Sequence, residues 1–269
     1  MSAIEFDRFE VFGNPKANFT TPEHITDWAQ KMDKEFKERP FRGNRVRMIL
    51  FAPTGLLDRL NRLTDELPEL RNARQKGIFA IGVQGLSPHS PGDFTGANMA
   101  QTAKSLGAEF GILGHSDERY KWPYVTDAII REQILRSHDV GLTPVLCVGP
   151  TPEEEASGKT DNVLRRQLAI LKGTPFNGAV VFEPLSSILA QGKAAKPPPT
   201  SEEILGISQT IRKMTDNLGV TPDIGYGGGV GPDTADGVFG VVNVVLPGTA
   251  SRFPDKWRAI AAAAESRLK

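Results

Sequence analysis

Cysteine is almost missing from this 269-residue chain, with Cys147 alone in TPVLCVG. A single cysteine excludes an internal disulfide and suits a reduced core thiol, so a cytoplasmic location is expected. Net charge is missing too: 32 basic residues balance 32 acidic ones, which removes the overall electrostatic case for nucleic acid or an anionic membrane. No stretch supplies the about 18 successive apolar residues that a bilayer crossing requires, and the N-terminus MSAIEFDRFEVFG has no long apolar core. No membrane anchor is expected. The four histidines, His24, His89, His115 and His138, show no metal-ligand spacing, and Cys147 has no second thiol nearby. Neither metal nor cofactor is required. The dinucleotide signature GxGxxG, with its following acid, and the P-loop are both absent, which argues against dinucleotide-dependent or ATP-dependent chemistry.

What the chain does contain is a strand-and-helix rhythm. Strands are expected at Phe9–Phe12, Arg47–Phe51, 77–83, Phe110–Leu113, Thr143–Val148, Ala179–Phe182, 223–226 and 241–246, each an apolar run. Between them lie helices near Pro22–Phe36, Leu56–Leu70, Asn98–Leu106, Asp127–Ser137, Asn162–Leu171 and Ser201–Leu218, with an alanine-rich helix at Asp255–Leu268. In the first, Ile25, Trp28, Ala29 and Met32 share a face after a Thr21 cap and Pro22; Thr200 and Glu203 fit a capping box. Eight strands with intervening helices favour a closed (β/α)8 barrel in one domain, 1–269, over an open doubly wound sheet. The segments 88–96 and 192–199 read as functional loops rather than linkers.

In such a barrel the C-terminal strand ends share one mouth. Asn14 and Lys16 in GNPKAN, His115 in GILGHSDERY and Glu183 in GAVVFEP all follow apolar strands, so the barrel collects them there. A lysine can steady substrate oxygens, a histidine can polarise them or shuttle protons, and a carboxylate can remove a carbon-bound proton. Each residue alone is an ordinary loop or surface group; the set carries the signal. YGGGV adds backbone N–H groups and small residues, Gly228 and Gly229 among them, that let a phosphate approach. Asp27, Glu153–Glu155, Lys193 and Lys196 read as solvated or helix-end groups.

At these residues the chain resembles the triosephosphate isomerase family over nearly its whole length. GNPKAN, ILGHS, VVFEP, QGLSPHSPGDFTG, ASGKTDNVLRRQL and YGGGV occur in the family's order. The resemblance implies a TIM barrel and an aldose–ketose isomerase acting on a small sugar phosphate, a triose phosphate or a four-carbon analogue. It assigns Glu183 as base, His115 and Lys16 to the enediolate charge, Asn14 to positioning the oxygens, and a homodimer through the loop at Gly85–Gly96. The family's acid after His-Ser falls on Asp117, or on Glu118 if one residue is inserted. Serine replaces the hinge tryptophan after Glu183-Pro184, and Leu189 stands at the phosphate-contacting loop tip. Gly229 replaces a serine, and Pro247 replaces the first glycine of a pair whose second member is Gly248. Proline has no N–H to offer a phosphate. A catalytically reduced phosphometabolite-binding or interaction protein on the same barrel is the alternative reading.

Overall fold

Runs rich in valine, isoleucine and phenylalanine open the successive units because they can be buried on both faces of a parallel sheet. The computed structural model describes residues 5–121, 125–188 and 199–268. Its strands are β1 (Phe9–Gly13), β2 (Val46–Ala52), β3 (Phe79–Gln84), β4 (Phe110–Leu113), β5 (Thr143–Val148), β6 (Ala179–Phe182), β7 (Asp223–Tyr226) and β8 (Val244–Val245). All pair in parallel in sequence order, and β8 returns to β1 through Glu10↔Val244 and Val11↔Val245. The sheet is therefore closed, a (β/α)8 barrel, and the open alternative is excluded.

Side chains alternate across each strand, so the closed sheet has two apolar compartments. Inside lie Phe12, Ile49, Phe51, Phe110, Val145, Cys147, Val181 and Leu246. Gly82 makes room for Phe51, whose ring would lie 2.4 Å from a Cβ at that position. Outside, Trp28, Phe79 and Trp257 pack between sheet and helices, with Trp28 and Trp257 ring centroids 5.6 Å apart. Trp257 is fully buried, so its truncation to alanine would cost about 3–5 kcal/mol.

The helices are α1 (Pro22–Glu38), α2 (Thr54–Glu66), α3 (Pro68–Gln75), α4 (Ala100–Ser105), α5 (Ser116–Lys121), α6 (Asp127–Asp139), α7 (Pro152–Ala156), α8 (Thr160–Leu168), α9 (Ser201–Asp216), α10 (Pro232–Phe239) and α11 (Pro254–Arg267). Thr21 caps α1 ahead of Pro22, and Thr200 with Glu203 forms the expected capping box on α9. The single helix expected at Leu56–Leu70 is two: Leu67 adopts an extended conformation before Pro68, which starts α3. The strand expected over 241–246 narrows to two residues, because Val241–Asn243 belong to the turn that brings the chain into the barrel.

Candidate active site

β1 ends at Gly13, and the chain turns at once. Asn14 is buried, its N–H donates to the Pro247 carbonyl at 3.1 Å, and its Oδ1 accepts the Lys16 N–H at 3.1 Å. Lys16 sits at φ 55°, alone among the described non-glycine residues in having a positive φ. A left-handed lysine persists only where its surroundings impose it. Here Asn14 holds its N–H, and Gln84 at the end of β3 donates to its carbonyl at 3.1 Å and to the Phe51 carbonyl at 2.8 Å.

His115 follows β4 and is 5% exposed. Its Nδ1 accepts the Asp117 N–H at 3.0 Å, which leaves Nε2 to carry a ring proton. Nε2 is buried and faces the Glu183 carboxylate, 2.9 Å from Oε1.

Glu183 follows β6 and is 4% exposed. Its Oε2 accepts the Ser116 N–H at 3.2 Å. Burial opposes its ionisation, but the imidazole, Lys16 and the Ser116 N–H outweigh burial and keep the carboxyl below its ordinary range. The group is a carboxylate, capable of accepting a proton.

The two acids after Ser116 separate in space. Asp117 Oδ2 lies 3.1 Å from Lys16 Nζ, and Oδ1 lies 2.7 Å from Lys121 Nζ, one helical turn further along α5. Burial pushes the Asp117 carboxyl up, while Lys121, His115 and Lys16 together bring it down to about 2. Glu118 turns towards Gly85, where its Oε1 would stand 2.7 Å from an added Cβ, and its Oε2 is buried with no hydrogen-bond partner identified among the described residues. Burial raises its pKa. Asp117 is the acid that meets the lysine.

At the far side of the mouth, Gly227 lies where a Cβ would come within 3.5 Å of Glu183 Cγ. A side chain on Gly228 would stand 2.2 Å from the Tyr226 hydroxyl, and Gly229 has φ 74°. Only glycine suits both. A Cβ at Gly248 would lie 3.9 Å from the Asn14 carbonyl, which places this residue beside the β1 end. Pro247 contributes its carbonyl to Asn14 and has no N–H of its own. Leu189, Lys193 and Lys196 lie outside the described residues.

Sequence reasoning overlooked Gln84, Lys121 and Glu155. Gln84 ends an apolar strand, as His115 follows one, and Lys121 stands four residues after Asp117; both signals were present. Glu155, read as solvated, instead accepts a very short hydrogen bond from Ser186 Oγ. Ser186, the hinge serine, is 1% exposed. A hydroxyl–carboxylate contact thus ties α7 to the turn after Glu183.

Comparison with known proteins agrees with this geometry. The family profile described as Triosephosphate isomerase matches residues 9–264. A triosephosphate isomerase of Escherichia coli O1:K1 / APEC is 35% identical over 193 residues, covering 69% of this chain and 75% of the relative. That of Shigella boydii serotype 18 has the same identity and coverage. The crystal structure of triosephosphate isomerase from Bartonella henselae superposes with a TM-score of 0.75 at 25% identity, over 95% of this chain and 98% of that one. With a profile match across most of its length and the same barrel, this chain belongs to the triosephosphate isomerase family.

Proposed function

We propose that the protein interconverts the aldose and ketose forms of a small sugar phosphate by proton transfer through an enediolate. The observation that carries this reading is the buried His115 Nε2 facing the Glu183 carboxylate at 2.9 Å. Two groups of complementary proton chemistry face one point. Glu183 takes the proton from the carbon beside the carbonyl, while Nε2–H donates to the oxygen on which charge develops. Lys16, anchored by Asp117, supplies the positive charge that steadies the same oxygens, and Asn14 positions them.

The substrate's phosphate is assigned to the glycines at the ends of β7 and β8, Gly228, Gly229 and Gly248, with Leu189 as the further contact the family resemblance assigns. Pro247 removes one N–H from that end, which favours a substrate seated differently from the family's usual triose phosphates. A three-carbon or four-carbon sugar phosphate is the substrate class. No metal or other cofactor is needed for this proton transfer. A homodimer is proposed through the loop at Gly85–Gly96, where Phe94 is 43% exposed and stacks on His89 at 3.9 Å between centroids. The single buried thiol suits the cytoplasm.

The test is interconversion of a panel of three- and four-carbon sugar phosphates in deuterated water, following turnover and solvent exchange at the two adjacent oxygen-bearing carbons between which the proton moves. Turnover with exchange is expected. Neither turnover nor exchange at any pH would refute the reading; stoichiometric binding without exchange would assign the chain to the binding-protein alternative. Sedimentation at micromolar concentration reads the dimer, and a purely monomeric species would refute that part.

A further inference from the structure

The Gly149 backbone, just beyond β5, is held by three side-chain hydrogen bonds. Its N–H donates to Gln167 Oε1 at 2.8 Å, and its carbonyl accepts from Gln167 Nε2 at 3.2 Å and from the Tyr120 hydroxyl at 2.9 Å. Gln167 Nε2 also lies 3.3 Å from that hydroxyl. Gln167 is 1% exposed on the inner face of α8, among Val163, Leu164 and Leu168. A primary amide at such a position is costly unless its bonding capacity is used. It is used on Gly149 and on the Tyr120 hydroxyl.

Gly149 lies directly against the base-bearing turn. A Cβ there would stand 2.3 Å from the Glu183 carbonyl oxygen and 2.7 Å from its carbon. On either side of this contact the Glu183 N–H donates to the Val148 carbonyl at 2.7 Å and the Leu185 N–H to the Pro150 carbonyl at 3.3 Å. Any displacement of Gly149 therefore carries the Glu183 backbone with it. Tyr120 belongs to α5, whose first N–H, that of Ser116, bonds Glu183 Oε2, and whose second, that of Asp117, bonds His115 Nδ1. The backbone and the carboxylate of the base are thus referred to the same short helix that fixes the imidazole.

We propose that Tyr120 and Gln167 are positioning residues that set the separation of Glu183 and His115, acting through Gly149 without touching substrate. This deepens the isomerase reading and rests on it. Tyr120→Phe keeps the ring and removes one hydroxyl; Gln167→Glu keeps the acceptor for the Gly149 N–H and removes the donor to its carbonyl. In the full-length protein, each is expected to lower kcat roughly tenfold with KM within about twofold, since misplacement of reacting groups by a fraction of an ångström acts on the chemical step. The acid limb of the kcat/KM profile is expected to move to higher pH as the donors around Glu183 loosen. The double variant should be no worse than about the poorer single, because the two residues act as one unit. A lowered melting temperature with unchanged kcat and acid limb per folded molecule, in an active wild type, would overturn the proposal. A second readout does not need turnover: the 15N resonances of the His115 imidazole should shift in Tyr120→Phe, and unchanged resonances would overturn the positioning role whether or not the wild type isomerises any sugar phosphate.

Discussion

Shortening the base by one methylene group, Glu183→Asp, keeps the charge and moves it. The carboxylate retracts by roughly one carbon–carbon bond, about 1.5 Å. In the native site Oε1 lies 2.9 Å from His115 Nε2 and Oε2 lies 3.2 Å from the Ser116 nitrogen, so the retraction breaks both contacts and withdraws the base from the reacting carbon. A misplacement of about 1 Å can cost roughly 100-fold in rate, which makes a loss of about 100- to 1,000-fold in kcat the expectation here. That corresponds to about 2.7–4 kcal/mol of transition-state stabilisation. Because the lost interaction is made at the reacting carbon, kcat and kcat/KM should fall together. Steady-state turnover, paired with deuterium incorporation from solvent, reads both. Glu183→Gln is the control that keeps length and removes basicity, and it should be the slower variant. If Glu183→Asp turned over within about threefold of wild type, with proton abstraction still limiting, Glu183 would not be the base.

Gly149→Ala should lower kcat by roughly 100-fold, because the added methyl forces the Glu183 carbonyl aside by an ångström or more; Gly55→Ala, where a Cβ meets nothing within 4 Å, should leave kcat unchanged, and equal effects of the two would remove the steric argument. Pro247→Gly restores a backbone donor and should raise kcat/KM for triose phosphates, up to roughly 100-fold if that donor is the limiting one; identical kinetics would mean that this loop does not contact the phosphate. The Asp117 carboxyl is lowered from an ordinary 3.8 to about 2, so it contributes stability that is complete above its ordinary range and lost as pH falls towards 2. The stability difference between wild type and Asp117→Asn, from urea melts, should therefore shrink between pH 6 and pH 2; a constant difference would show that the ion pairs contribute nothing.

The barrel is legible in the sequence because its strands are mostly apolar runs, with Glu10 and Arg47 the polar exceptions inside β1 and β2, and parallel strands covered on both faces have that composition. The failures have local causes. Leucine periodicity runs through Leu67 and conceals the break that Pro68 imposes between α2 and α3. α5 and α7 are too short and polar to show an apolar face; α7 is marked instead by Thr151, Pro152 and Glu154, a capping box with proline at the first turn. In the VVNVVL run, Val242 and Asn243 are buried inside a turn rather than a strand, so hydropathy cannot separate them from β8. At the site, the types and order of Asn14, Lys16, His115 and Glu183 are readable from strand ends. Which acid meets Lys16 is not, since Asp117 and Glu118 are neighbours in sequence and only the helical turn of α5 sends one to the mouth and the other towards Gly85. The Ser186–Glu155 contact is equally unreadable: it joins residues 31 positions apart through a turn with no sequence signature.

The two-residue β8 has a consequence for how the native barrel opens. Every other strand contributes four or more residues, whereas the seam on either side of β8 is joined by just two paired positions each. Free energies of local opening follow such differences in pairing, so amide exchange should be fastest along this seam and the β7–β8–β1 sector should detach before the rest. The bond from Asn14 N–H to the Pro247 carbonyl is a clasp across that gap. An oxyanion seated between Gly228 and Gly248 would add a second clasp, coupling occupancy of the mouth to the integrity of the thinnest wall of the cylinder.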